Sequence, residues 1–216
     1  MKSQELLRVS EIFASLQGES TTVGVPTVFV RLTGCPLRCR WCDTTYAFRG
    51  GERLTIDEIL ARVSDLGLPE VCVTGGEPLA QAACRELLAT LADAGHRVSL
   101  ETSGALSIAG LDPRVRCVMD LKAPGSGEAD KNLWDNLDHL RPHDEVKFVL
   151  AGRADYDWAK DVLERHGLAR RATVLFSPVT GELAPSTLAD WIVADRLPVR
   201  FQLQLHKILW GDARGK

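Results

Sequence analysis

The feature that most constrains the fold of this chain is the alternation of short apolar runs with amphipathic stretches along most of its length. "LRVSEIF" and "PTVFVRLTG" come first, and later "EVCVTGGEP", "HRVSLETSG", "RVRCVMDLKAPG", "DEVKFVLAG" and "ATVLFSPVTG" have the length and β-branched content of buried strands. Between them lie helical patterns. "TIDEILARVSDLG" opens on a capping box of Thr55 and Glu58, with Ile56, Ile59, Leu60 and Val63 on one face. Pro78 favours the first turn of a helix through "LAQAACRELLATLADAG", ending at Gly95. "ADYDWAKDVLERHG" and "PSTLADWIVAD" read as two more helices. The polar segment 126–143 holds one short helix, and "VRFQLQLHKILWG" is a final strand and tail. Strands alternating with helices imply βα units around a mainly parallel sheet. They number about six, against the eight of a full barrel. The fold class expected is therefore α/β, an incomplete open (β/α)6-type barrel formed by residues 1–216 as one domain. Periodicity alone leaves a doubly wound sheet open.

The polar motifs fall at strand ends. A cysteine loop follows the second run, and "TGGEP", "ETSG", "DLKAP" and "FSPV" each close a strand, so they converge on one mouth at the edge where such sheets bind ligands. A net charge of −3 with scattered basic residues gives no reason to expect a nucleic-acid surface. No apolar run has membrane-spanning length, and the polar start lacks a signal-peptide core, so a cytoplasmic protein is expected. Thiols there stay reduced. Cys72, Cys84 and Cys117 then read as core residues.

"GCPLRCRWCDTTY" is different. Cys35, Cys39 and Cys42 stand in C-x3-C-x2-C spacing in a loop of Gly, Pro and Arg, where packing does not explain them. A structural zinc site wants four ligands, usually in two pairs, and neither His206 nor Cys117 has a neighbour at ligand spacing. An iron–sulfur cluster on three cysteines leaves one iron open.

The spacing, followed by Gly-Gly-Glu-Pro at a later strand end, resembles the radical S-adenosylmethionine superfamily. Within it "IFASLQGES", "FVRLTGCPLRCRWCDTTYAF" and "FQLQLHKILWG" resemble the 7-carboxy-7-deazaguanine synthase family over nearly the whole chain. The resemblance implies a [4Fe–4S] cluster on Cys35, Cys39 and Cys42, with S-adenosylmethionine chelating the open iron. Cofactor contacts would come from Trp41, Cys42, Asp43, Gly76, Glu77, Ser103, Lys122 and Ser177. The implied reaction is a lyase-type radical ring contraction of 6-carboxy-5,6,7,8-tetrahydropterin to 7-carboxy-7-deazaguanine with loss of ammonia, on the route to queuosine and other 7-deazapurines. No side chain is assigned as catalytic.

A carboxylated substrate calls for a guanidinium fork, and Arg31, inside an apolar strand, is the natural candidate. Its alternative is a pairing with an acidic neighbour. The pterin edge is matched to Leu16, Gln17, Gly18 and Glu19, with Thr74 and His206 as further contacts. Thr44 is implied as a Mg²⁺ ligand, since a hydroxyl is a hard oxygen donor. The family also implies a flavodoxin or ferredoxin as electron donor and a homodimer. The rival readings are a radical activase acting on a partner protein and a zinc-stabilised binding module.

Overall fold

In a computed structural model, residues 6–216 are described. β1 (Leu6–Leu16) and β2 (Pro26–Leu32) form an antiparallel hairpin, and β3 (Glu52–Thr55) adds antiparallel to the outer side of β1. β4 (Glu70–Gly75), β5 (Arg97–Thr102), β6 (Arg116–Asp120), β7 (Glu145–Leu150), β8 (Thr173–Pro178) and the two-residue β9 (Arg200–Phe201) follow, each parallel to its neighbour. Among the described residues the order is β3-β1-β2-β4-β5-β6-β7-β8-β9, and the two edge strands do not pair. The sheet is thus an open, mainly parallel partial barrel, as expected. Its antiparallel first strand is the exception to the βα pattern.

Helices α1 (Ile56–Leu66), α2 (Cys84–Asp93), α3 (Arg153–Arg165) and α4 (Pro185–Ala194) cover the convex side. Two apolar clusters lie beneath them: Leu7, Val30, Val73, Leu100 and Leu88 toward the first half, Met119, Phe148, Phe176 and Tyr156 toward the second. Cys84 and Cys117 belong to these clusters and Cys72 is equally buried. A register shift between Val9 and Glu11 in β1 lets one strand serve both faces. Leu7, Val9 and Ile12 pack toward the helices, while Phe13 lines the concave side and Glu11 meets the lumen-lining Arg31 opposite it.

Three elements depart from the sequence expectation. The helix after "GGEP" begins only at Cys84, after a 3-10 turn over Pro78–Ala80. Gln81 explains the delay: its amide binds the carbonyls of Arg8 and Thr33, both at 2.9 Å, and its oxygen accepts the Arg8 N–H at 2.8 Å. The segment 126–143 has short 3-10 turns, including Trp134–His139, in place of one helix. The final strand stops at Phe201, and "LHKILW" is a short helix, α5 (Leu205–Trp210). His206 therefore stands in a helix, not at a strand end. Side chains pull the chain out of the ladder there, Gln202 donating to Ser20 O at 2.8 Å and Gln204 to Glu19 at 2.7 Å. No helix among the described residues is long and apolar enough to cross a membrane.

Candidate active site

The concave side encloses a cavity of about 560 Å³, within the ordinary range for small-molecule sites. The cysteine loop covers it at the C-terminal ends of the strands, with Gly75, Gly76, Ser103 and Lys122 beside it. Leu16, Gln17, Gly18 and Glu19 also line the cavity, but they arrive from the opposite end of the sheet. The strand-end motifs thus meet at one mouth, as expected, and the loop 17–25, which precedes β2, reaches the same lumen from the N-terminal ends of the parallel strands. α5 and the residues around it close the open side.

Charged side chains hold the cysteine loop in place. Arg40 forks onto Glu182 at 2.8 and 2.7 Å, the Arg38 N–H meets Glu128 at 2.6 Å, and the Arg38 guanidinium binds Cys35 O at 2.8 Å. Cys35, Cys39 and Cys42 are half-buried free thiols facing one cavity. Burial pushes the Cys35 and Cys39 thiols up, and the nearby Lys122 ammonium works the other way. Lys122 itself is fixed through its backbone, whose N–H and C=O both bind the Asn132 amide at 2.9 Å, and its ammonium meets Asp120 at 3.0 Å.

The glycines of "TGGEP" line the cavity and also meet a packing demand. The Gly76 N–H is taken by Leu32 O at 3.1 Å, and a Cβ on Gly76 would lie 2.2 Å from Gly34 O and 2.8 Å from the Cys35 Cβ. A Cβ on Gly75 would meet Leu32 O at 2.2 Å. Their absent side chains let the strand end cross the root of the cysteine loop. Glu77 is fully buried and does not line the cavity. Its carboxylate accepts from Leu79 N at 2.9 Å, Thr102 Oγ1 at 2.9 Å, Ser103 N at 2.7 Å and Ser103 Oγ at 2.5 Å. It shapes the wall that presents Ser103. Ser177 pairs in register with the lumen-lining Val149, yet it is buried beneath the cavity surface and its Oγ has no partner among the described residues.

Arg31 and Thr74 face each other across β2 and β4 on the lumen side. The Arg31 Nε binds Glu11 at 2.7 Å, and the Tyr46 hydroxyl donates to the same oxygen at 2.7 Å. The acidic pairing weighed from sequence is therefore present. It uses only Nε, and the two Nη groups carry no protein hydrogen bond among the described residues, which keeps the fork open. Thr74 donates to Glu101 at 2.9 Å and Gln17 to the other oxygen of Glu101 at 3.2 Å. Thr44 donates to Asp43 at 2.7 Å, and His206 and Lys207 approach Asp43 at 3.9 and 4.0 Å. Its recess disfavours ionisation, but His206, Thr44 and Lys207 outweigh this and hold the Asp43 carboxyl well below its ordinary range. Trp41 lines the same wall.

Sequence reading missed Glu11, Glu101, Asp120, Lys147 and Gln204. The signal for Lys147 and Glu101 was the one that found Arg31, a charge on one face of a short apolar strand, where burial costs free energy unless a partner or ligand waits.

The Radical SAM superfamily profile matches residues 29–122, from β2 to Lys122. The 7-carboxy-7-deazaguanine synthase of Chlorobaculum tepidum is 48% identical over 100% of both chains. That of Koribacter versatilis is 44% identical, covering 94% of this chain and 97% of its own. The chain belongs to the 7-carboxy-7-deazaguanine synthase family. A solved structure titled QueE from Escherichia coli superposes with a TM-score of 0.77 over 93% of this chain and 95% of that one; at 23% identity it supports the fold.

As a 7-carboxy-7-deazaguanine synthase family member, the chain has an iron–sulfur cluster and S-adenosylmethionine as its implied cofactors. Its donor set fits them. Among the described residues no three His, Cys, Asp or Glu side chains converge on a point suited to one metal ion. The three thiols line one cavity within electrostatic reach of one another, a three-thiolate set that suits an iron–sulfur cluster with one open iron. The close crossing of Gly76 beneath Cys35 leaves no room there for a side chain.

Proposed function

We propose that the protein contracts the ring of 6-carboxy-5,6,7,8-tetrahydropterin to 7-carboxy-7-deazaguanine, releasing ammonia as a carbon–nitrogen lyase of 7-deazapurine biosynthesis. Relatives of this name match over essentially their whole length. The observation that carries the reading is one lumen with three thiols on one wall and a guanidinium fork and a carboxylate among its other lining groups.

Cys35, Cys39 and Cys42 would hold the cluster, which together with S-adenosylmethionine would supply the radical chemistry of the ring contraction. The chain's own residues do the rest. The free Nη groups of Arg31 take the substrate carboxylate as a bidentate pair. Glu19 and Gln17 meet the N–H edge of the pterin, and Gly18 and Leu16 border it. Lys122 and Ser103 face the cofactor side, and α5 with His206 shields the lumen from water. Asp43 and Thr44 offer two hard oxygens side by side, fitting a Mg²⁺ that keeps most of its waters. The same reading brings a flavodoxin or ferredoxin as electron donor and a homodimeric assembly, in one radical domain spanning the chain.

The test is an anaerobic incubation of cluster-loaded protein with reductant, S-adenosylmethionine and 6-carboxytetrahydropterin, with and without Mg²⁺. The expected products are 7-carboxy-7-deazaguanine and ammonia in equal amounts, with turnover rising on Mg²⁺ addition. Intact cofactor cleavage with no deazaguanine would reject the synthase reading, and turnover indifferent to Mg²⁺ would remove the metal.

A further inference from the structure

Lys147 sits in the middle of β7, on the lumen face, where its register partner on β6 is Asp120. Its ammonium is buried between two carboxylates, Glu19 in contact and Asp120 at 3.5 Å. Glu19 comes from the loop 17–25, and its other oxygen accepts from Gln204 Nε2 at 2.7 Å. Asp120 in turn meets Lys122 at 3.0 Å. A single chain of contacts, Gln204–Glu19–Lys147–Asp120–Lys122, therefore runs from the closing segment to the cofactor wall.

Packing does not demand this arrangement. Neither apolar cluster includes Lys147, and a well-shaped apolar side chain in place of a buried ion pair is often no less stable. Something other than stability keeps the charge. Glu19 supplies the reason. An ionised carboxylate has about four acceptor sites. Lys147 and Gln204 occupy one on each oxygen, and Glu19 still lines the cavity. The remaining sites match a ligand edge with two parallel N–H donors, such as the amide N–H and exocyclic amine of a pterin.

We propose that Lys147 is a positioning residue for substrate recognition, holding the Glu19 carboxylate in the orientation that receives the paired N–H donors of the pterin ring. The inference rests on the synthase reading above. Lys147 acts through Glu19, and its second contact, to Asp120, gives Glu19 and Lys122 a common seat. Substrate and cofactor walls are thereby set by one buried cation.

The experiment is equilibrium titration of 6-carboxytetrahydropterin into anaerobic holoenzyme for wild type, Lys147→Met, Glu19→Gln and the double variant. Each single variant is expected to weaken pterin binding about tenfold to a hundredfold. In the Glu19→Gln background, Lys147→Met should add no more than about twofold, because the group through which it acts is already gone. Equal losses in both backgrounds would show Lys147 acting independently of Glu19 and overturn the proposal, as would unchanged affinity in Lys147→Met. Absence of pterin binding in wild type would instead reject the synthase reading itself. Should Lys147→Met fail to fold, Lys147→Gln, which keeps a donor without the charge, carries the same cycle and is judged by the same outcomes.

Discussion

Gly76 illustrates how little space the cysteine loop has at its root. A Cβ there would lie 2.2 Å from a backbone oxygen of Gly34, which cannot swing away as a side-chain tip would. Gly76→Ala should therefore lose about 1–3 kcal/mol of stability through overpacking and displace Cys35. Thermal melting and iron content per chain would check this, and wild-type values for both would refute it. Arg31 poses the opposite question, of what a side chain leaves unused. Lysine in its place keeps the charge near Glu11 but loses the planar pair of donors. Pterin affinity in Arg31→Lys should fall about tenfold to a hundredfold. Substrate-free cleavage of S-adenosylmethionine should persist, because the polar contacts of Arg31 are to Glu11 and not to the thiols. Unaltered pterin affinity would free Arg31 of the anchoring role.

Among the elements, the loop 17–25 and α5 depend on one another. The Gly18 carbonyl accepts the Leu205 N–H at 2.9 Å, and a Cβ on Gly18 would strike the His206 ring at 2.2 Å. Deeper in the barrel, Glu145 accepts the Thr21 N–H at 3.0 Å and also takes the Thr21 hydroxyl. Burial raises the Glu145 carboxyl above its ordinary value, with Thr21 opposing. The folded state then holds this proton more tightly than the unfolded chain, so the group favours folding less as pH rises through the raised value. Relative to Glu145→Gln, wild type should lose melting temperature as pH rises from the ordinary glutamate value of about 4.3 through the raised value of the folded state, and level off above it. Parallel melting curves across that range would show that Glu145 does not titrate there.

For the whole molecule, the two apolar clusters lie on the helix side of the sheet and include none of the three loop cysteines. The loop is held by its own arginine pairs and by the Gly34–Ala47 backbone bond at 2.8 Å. The architecture should thus stand without the cluster. The triple Cys→Ala variant at 35, 39 and 42 should keep its far-ultraviolet dichroism and melt within a few degrees of wild type, with the broad visible absorbance gone. Cys84→Ala should do the reverse: retain the absorbance and lose some stability, because it opens a small void beneath α2. An unfolded triple variant would mean that the cluster is part of the fold.

The sequence by itself determined what depends on neighbours close along the chain. The capping box at Thr55 and Glu58, the strand runs, the cysteine spacing and the charge of Arg31 inside an apolar strand were all legible, since their patterns repeat within a few residues. "QLHKILW" was not, because Leu205, Ile208 and Leu209 have helical spacing but adjoin a strand-like run, and only the bonds of Gln202, Gln204 and Leu205 to the loop 17–25 decide where the ladder stops. The glycines of "TGGEP" were legible as glycines, while the backbone they cross was not. Lys147 and Glu19 are 128 residues apart in the chain, and Thr21 and Glu145 are 124 apart. Such pairs follow from strand order and the β1 bulge. A charge in a strand announces that it needs a partner, but burial makes that partner whichever group the fold brings within a few ångströms.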